Sequence, residues 1–237
     1  MREYLHSSRH MVAAISARLS YINVCIISGS LALGWTAQSQ AFDITLVLVD
    51  EQENPVAGAV IELSVDQAGT TATSAASAPV AVIDQIERRF VPMVLLIEVG
   101  QSVNFPNSDN VRHHVYSFSD IKQFSTPLYA DESIEPVLFD KPGIAVLGCN
   151  IHDSMVAYIF VSQSASSAIS DEHGNLTLAG LSASPGSLSV WHPWIQTPDN
   201  RFAIDVTETP EGGQLRVSLP VRSPEARFGF RALVPEV

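Results

Sequence analysis

The chain has 237 residues, of which 46% are hydrophobic and 16% are charged, and its 25 acidic and 13 basic residues give a formal charge of −12. This length suits one or two domains, and the apolar content is high enough to fill a core rather than leave the chain disordered. The negative charge argues against nucleic acids and anionic membrane surfaces as partners and favours cationic ones.

The first 41 residues predict an export signal. Three arginines precede the apolar run YINVCIISGSLALGW at 21–35, and Ser39 and Ala41 stand at the spacing that signal peptidase recognises. We expect cleavage after Ala41 and a periplasmic protein with no membrane anchor once the signal is removed. The alternative is an anchor, but the run is shorter than the ~20 apolar residues that a spanning helix needs.

Cleavage would change both the charge and the cysteine count. The mature chain would carry 10 basic and 24 acidic residues, a net charge of −14, and Cys149 as its single thiol. No internal disulfide is then available in an oxidising compartment. A lone exported cysteine must be buried and inert, paired with another chain, or bound to a ligand.

The rest of the chain predicts an all-β protein. Residues 42–65 have the pattern of a β-hairpin with a turn at Asn54-Pro55, and the small polar residues 66–80 predict a loop or linker. Residues 81–162 contain short apolar or alternating runs separated by glycine and proline, which is typical of a sandwich or barrel. Residues 165–237 continue the β pattern to the end of the chain.

The hairpin and the tail resemble pieces of the carboxypeptidase-regulatory or transthyretin-like β-sandwich. The motifs that carry this resemblance are the turns DEHGN at 171–175 and SPG at 184–186, each followed by a strand pattern. The resemblance implies one small sandwich, built from 42–65 and the tail, that is split by an inserted one. The alternative is two consecutive units with a long N-terminal hairpin.

A further stretch, WHPW at 191–194, combines aromatic and histidine side chains. We interpret it as a loop whose tryptophan rings cover a small core. A docking surface or an interdomain contact is the alternative.

The segment GCNIHDSMVAYIFV at 148–161 holds Cys149, His152 and Met155 just before a strand. Thiolate and thioether favour Cu(I), imidazole serves both oxidation states, and a His₂Cys set with a long axial methionine is an electron-transfer geometry for copper. A second histidine is available from His113 or His114, which open an upstream strand. Since neighbours on a strand face opposite sides, only one of the two should point at the metal. Each residue alone also fits an ordinary core or loop position.

Together these residues resemble the cupredoxins over roughly 84–161. The matching positions are Phe90, Pro92, Gly100-Gln101-Ser102-Val103, Phe105, Asn107, Asp109, His113, Val115, Pro142-Gly143, Cys149, His152 and Met155. The short C-x-x-H-x-x-M loop is similar to that of amicyanin. The wider text, HHVYSFS with LGCNIHDSM and WHP, resembles exported methylamine utilisation proteins. The resemblance implies a Greek-key sandwich with one type 1 copper that transfers electrons between periplasmic partners.

Carried over by position, the resemblance makes His113, Cys149 and His152 the equatorial ligands and Met155 the axial one. The family usually has asparagine at position 114, where its side chain ties the two ligand loops together. Here His114 takes that place, and we expect it to support the ligand His113 rather than bind the metal.

Two further residues of the ligand loop are expected to surround the ligands without binding. They are Asn150, and Asp153, which stands where family members often have proline. A ligand histidine also needs a partner for its other ring nitrogen.

The sequence therefore predicts a copper protein that passes electrons and turns over no substrate. Its net charge favours a basic redox partner, such as a c-type cytochrome. Two alternatives remain open: a Cu(I) carrier or sensor, and a partner-docking module whose copper site is vestigial.

Overall fold

The computed structural model describes residues 42–63, 78–130, 135–164, 166–181, 186–206 and 214–222. Across these ranges the chain forms seventeen strands and no helix, which confirms the all-β prediction. Accordingly, the described residues include no helix that is long and apolar enough to cross a bilayer. The predicted export signal, 1–41, and most of the predicted linker lie outside the described residues.

One group of strands, here called the central sandwich, carries the residues of the predicted metal site. Its strands are β3 (Ala81–Val82), β6 (Val94–Glu98), β7 (Gln101–Asn104), β8 (Val115–Ser119), β9 (Lys122–Ser125), β10 (Val137–Phe139), β11 (Gly143–Cys149) and β12 (His152–Ser162). They form a five-stranded sheet of order β6-β12-β11-β8-β9 and a three-stranded sheet of order β10-β7-β3. A single hydrophobic core, to which both sheets contribute, lies between them. A short ribbon of β4 (Asp84–Ile86) and β5 (Arg89–Val91) accompanies this sandwich.

The remaining strands form a second group, here called the flanking sandwich. They are β1 (Phe42–Val49), β2 (Val60–Leu63), β13 (Ser167–Ile169), β14 (Asn175–Leu181), β15 (Gly186–Trp191), β16 (Arg201–Val206) and β17 (Gln214–Ser218). Their sheets have the orders β14-β1-β17 and β13-β2-β15-β16, and a separate hydrophobic core lies between them. The resemblance of this group to a transthyretin-like domain, and the domain boundaries themselves, stay predictions.

The hairpin predicted over 42–65 does not form as such. β1 pairs with β14 and β17, whereas β2 pairs with β13 and β15 in the other sheet. The turn that follows β1 is closed by an isolated bridge between Val49 and Pro55 and by backbone hydrogen bonds such as that from Val56 to Leu48, not by pairing of β1 with β2. The alternating apolar pattern identifies the two strands correctly, but it does not distinguish a hairpin from a chain that crosses between two sheets.

The long strand β12 is buried on both faces. Ala157, Ile159 and Val161 point into the core of the central sandwich, while Tyr158 and Phe160 belong to a third apolar cluster on the opposite face. A strand that buries both faces needs a continuous apolar run rather than an alternating one. This requirement explains the unbroken VAYIFV sequence.

The flanking sandwich supplies the cover for that second face. Trp191 is buried, and its ring centroid lies 5.7 Å from that of Tyr158 and 5.5 Å from that of Phe160. Trp191 therefore covers a small core, as the sequence predicts, and this core lies where the two sandwiches meet. The sequence does not distinguish this arrangement from the alternative of an interdomain contact, because aromatic residues suit both environments.

Candidate metal centre

Three side chains converge at one end of the central sandwich. The Nδ1 atoms of His113 and His152 lie 3.3 Å apart, and the Sγ atom of Cys149 lies 3.6 Å from the first and 3.9 Å from the second. Cys149 and His113 are buried, and His152 is half-buried. These are the three residues that the sequence predicts as equatorial ligands.

The local fold explains how they meet. Cys149 ends β11 and His152 begins β12, and the two residues are paired across the tight turn that joins these strands. β8 pairs with the end of β11, so that Val115 lies opposite Cys149 and His113 lies just beyond it. Two backbone hydrogen bonds, each 3.0 Å, join His113 to Tyr129 and fix the chain where it enters β8.

Met155, the predicted axial ligand, lies three residues after His152 on β12. Its side chain is almost fully buried, at 1% exposure, and belongs to the same core cluster as Cys149. The four predicted ligands thus gather at one end of one core.

The spacing of the donor atoms fits a bound metal ion. In a planar three-donor site with bonds of about 2.0 Å to nitrogen and about 2.3 Å to sulfur, as in zinc sites, the donor atoms lie about 3.5–3.7 Å apart. Of the three observed separations, 3.6 Å lies within this range, while 3.3 Å and 3.9 Å lie just below and just above it. A thiol, two imidazoles and a nearby thioether are the donor set that copper prefers, since it combines soft ligands with ligands that serve both oxidation states.

The outer nitrogen of His113 has a buried partner. Its Nε2–H donates to Oδ2 of Asp109 at 3.0 Å, and the two side chains are 0% and 9% exposed. Because a carboxylate can only accept this hydrogen bond, the contact favours the tautomer of His113 with its proton on Nε2, which turns the lone pair of Nδ1 toward Cys149 and His152. Sequence analysis included Asp109 only as a motif position and missed this contact; the available signal was an acid four residues before a candidate ligand.

The charges around the centre favour the forms that bind metal. The pKa of Asp109 is lowered, first by the backbone N–H of Arg88 and then by the hydrogen bond from His113. The pKa of His152 is also lowered, first by burial and then by the neighbouring His113 and Arg88. A neutral His152 is the form that can bind a metal, and an ionised Asp109 can accept a hydrogen bond from the ring of His113.

Of the three residues expected to surround the ligands, His114 turns toward a neighbouring strand, whereas Asn150 and Asp153 directly follow Cys149 and His152 in the chain. His114 points away from the cluster, and its Nε2 lies 2.6 Å from Oγ of Ser125 on β9. Asn150 is exposed, but its backbone N–H donates to the carbonyl of His114 at 3.2 Å, so the two ligand loops are tied by the backbone. Asp153 is exposed beside His152.

A buried polar scaffold supports the loop that carries Asp109 and His113. Nδ2 of Asn107 donates to the carbonyls of Val111 and Tyr129, and its Oδ1 accepts from the N–H of Asp109. The hydroxyl of Tyr129 donates to the carbonyl of Phe105, and burial raises the pKa of Tyr129 to about 12. Tyr129 therefore stays protonated and acts as a structural donor.

No protein-family model matches the chain, and no curated protein matches it. Solved structures do match. A purple cupredoxin from Nitrosopumilus maritimus is 25% identical over 35% of this chain and 99% of its own, with a TM-score of 0.32. A reduced amicyanin mutant is 19% identical over 40% of this chain and 95% of its own, with a TM-score of 0.33.

Part of the chain is similar to cupredoxins. A copper-containing nitrite reductase from Thermus scotoductus is also similar, with 25% identity over 49% of this chain and 28% of its own and a TM-score of 0.34. The resemblance expected from the sequence is confirmed to that extent, while the methylamine utilisation name stays a prediction. The similarity covers less than half of the chain in each case, so the argument for a metal rests on the donor atoms themselves.

Proposed function

We propose that this chain is an exported protein with one type 1 copper that carries electrons between periplasmic redox partners. The observation that carries the proposal is the convergence of two imidazole nitrogens and one thiol within 3.9 Å of one another, beside a buried methionine. His113, Cys149 and His152 would hold the ion, with Met155 as a fourth donor. When bound, copper supplies a one-electron couple.

The protein's own contribution is to keep the donors in place. Cys149 and His152 are fixed by the β11–β12 pairing, and His113 is fixed by its bridge to Tyr129. A site whose donors are held by strands rearranges little between oxidation states, which keeps the cost of electron transfer low. Electron carriage is favoured over turnover because the buried Met155 would occupy the position that a substrate needs.

The visible and EPR spectra of the mature protein loaded with Cu(II) test this function directly. We expect an intense thiolate-to-copper band with a narrow copper hyperfine splitting, and we expect Cys149→Ser to lose both. A pale spectrum with ordinary splitting, or a folded protein that refuses copper, would reject type 1 copper. The second result would favour the partner-docking module with a vestigial site.

The same soft donors also suit a Cu(I) carrier or sensor that does not cycle. Electron self-exchange of the loaded protein separates the two functions. Fast exchange, together with reversible oxidation, is expected for an electron carrier. Slow exchange with very tight Cu(I) retention would instead support the carrier or sensor.

We place the partner at the end of the sandwich that holds the donors. Two large apolar side chains are exposed there: Ile151, which precedes His152 and is 49% exposed, and Leu128, which precedes Tyr129 and is 50% exposed.

The charge of −14 expected after cleavage favours a basic partner such as a c-type cytochrome. Its rate of electron transfer should fall as ionic strength rises, and a flat profile would count against electrostatic steering.

Export itself is tested on the protein recovered from the periplasm. We expect its first residue to be Phe42, because the small residues Ser39 and Ala41 precede that bond. A protein that keeps the apolar run 21–35 and sediments with membranes would indicate an anchor instead.

A further inference from the structure

Asp109 is the acid that contacts the candidate metal centre, and the proposed function does not use it. Its Oδ2 lies 3.0 Å from Nε2 of His113, on the far side of the ring from Cys149 and His152. Because the two side chains are 0% and 9% exposed, water competes little for this hydrogen bond. A carboxylate in this place acts on the metal through the imidazole rather than by direct contact.

The carboxylate is held firmly from two directions. Its Oδ2 also accepts the backbone N–H of Arg88 at 2.7 Å, and its Oδ1 accepts that of Asn110 at 2.8 Å. Arg88 lies in the turn between β4 and β5, where Glu87 and Arg88 have φ values of 50° and 58°. This turn thus directs a backbone donor at the oxygen that faces His113.

The loop that carries Asp109 is tied to the same scaffold as His113. The backbone N–H of Asp109 donates to Oδ1 of Asn107 at 3.0 Å, and Nδ2 of Asn107 donates to the carbonyl of Tyr129 at 3.1 Å. Tyr129 in turn pairs with the backbone of His113. The positions of the acid and of the ring are therefore set by one connected network.

We propose that Asp109 is a positioning residue that fixes the His113 ring and places a negative charge behind it, which lowers the reduction potential of the centre. The inference rests on the proposed copper function. A negative charge that reaches the metal through an imidazole stabilises the higher charge of Cu(II) more than that of Cu(I). The hydrogen bond also fixes the Nε2–H tautomer and thereby presents the lone pair of Nδ1 to the metal.

The variant Asp109→Asn removes the negative charge of the side chain and keeps its size and shape. With its amide oxygen toward His113 and Arg88, asparagine still accepts both hydrogen bonds and loses only the bond from the N–H of Asn110. We expect the blue-copper spectrum to persist and the reduction potential to rise. Asp109→Leu removes the hydrogen bond as well, so we expect a raised potential together with altered EPR parameters.

The matched control is Asp84→Asn. Asp84 accepts from the N–H and the hydroxyl of Ser108, next to Asp109 in the same loop, and it does not contact His113. The two variants lose the same formal charge in the same region. We expect the rise in potential for Asp109→Asn to be several-fold larger than for Asp84→Asn, and equal shifts would overturn the proposal.

A second measurement needs no copper. Nitrogen NMR of the apo protein should show His113 as the Nε2–H tautomer in the natural chain and in Asp109→Asn, and as a mixture in Asp109→Leu. An Nδ1–H ring in the natural apo protein would reject the positioning role whether or not copper binds. Failure of the proposed function has a different signature, namely a normal tautomer in a protein that shows no blue-copper spectrum.

Discussion

Two histidines in the part of the chain that the structure describes are buried almost completely, and their rings have different partners. His192, in the flanking sandwich, is 1% exposed; its Nδ1 accepts the backbone N–H of Trp194 at 3.3 Å, and its ring also hydrogen bonds to the backbone of Ala57. His113 is 0% exposed, but only its Nε2 has a conventional partner, Asp109. Its Nδ1 instead faces the sulfur of Cys149 and the Nδ1 of His152.

The comparison separates a structural histidine from a candidate ligand. Burial alone does not distinguish them, because both rings are removed from water. The difference lies in the surroundings of Nδ1. In His192 this nitrogen accepts a hydrogen bond from a backbone N–H, whereas in His113 it faces a sulfur and another ring nitrogen, which are also metal donors. Burying the Nδ1 atom of His113 in such surroundings costs free energy unless a metal ion or a proton binds there.

The largest expected effect comes from breaking the centre at its most buried histidine. His113→Ala removes one donor and should abolish the blue spectrum and lower copper affinity by more than the roughly 10–100-fold that indirect supports of a metal site are worth. His114→Ala is the matched control, since His114 faces Ser125 instead. Copper titration followed by visible absorption measures both. A blue His113→Ala protein would show that the cluster is not the copper site.

The second effect concerns the structural histidine. Burial lowers the pKa of His192 to about 4 from 6.5, so between these values the unfolded chain takes up a proton that the folded chain excludes. Stability from this group is therefore full above about pH 6.5, falls as the pH drops toward about 4, and is constant below that. Over this window the free energy of unfolding should fall by about 3 kcal/mol.

Denaturant titrations of the copper-free protein at several pH values measure this pH dependence of the free energy of unfolding. His192→Gln has no ionisable ring and should lose that part of the pH dependence, whatever its own stability at neutral pH. His173→Gln is the matched control, because the His173 side chain is exposed in a turn. If His192→Gln keeps the slope of the natural chain, the acid sensitivity arises elsewhere.

A third effect tests how tightly the strands pack beside Cys149. A Cβ atom on Gly148 would lie 2.8 Å from the ring of Tyr116 on the neighbouring strand β8, closer than such contacts allow. Gly148→Ala should therefore cost about 1–3 kcal/mol of stability, the usual range for overpacking. Gly148→Ala combined with Tyr116→Leu should recover part of that loss relative to Tyr116→Leu alone. Purely additive effects would show that the ring is not the obstacle.

The sequence predicts the metal-binding residues better than it predicts the residues and strand pairings that support them. Cys149, His152 and Met155 lie close in the chain, so their spacing alone suggests a shared site, and alternation on a strand requires a choice between His113 and His114. The structure places His113 in the cluster. Asp109 could not be chosen in this way, because its contact depends on a loop held by Asn107 and on a turn 21 residues upstream.

The pairing of strands is also hard to predict from the sequence, because it too depends on residues far apart in the chain. Alternating apolar residues identify β1 and β2, but the pattern is local, whereas pairing with β14 and β15 spans more than a hundred residues. The apolar run of β12 fits the burial that the structure shows on both faces, yet it does not indicate that Trp191 covers one of them. Side-chain periodicity determines which faces are buried, and tertiary contacts determine what buries them.

The smallest expected change in stability is at Met155, the predicted fourth ligand. This residue lies in the hydrophobic core, so its role in packing must be separated from its role in binding metal. Met155→Leu keeps the volume of a fully buried side chain and should change the free energy of unfolding by less than about 1.5 kcal/mol. If Met155 is only core, the reduction potential should stay the same. If its sulfur is a donor to the metal, the variant should retain copper and its blue colour, and its potential should rise, because Cu(I) tolerates the loss of a weak fourth donor better than Cu(II) does. Voltammetry of the loaded variant, with unfolding of the apo form as the control for packing, distinguishes a methionine that fills the core from one that also reaches the metal.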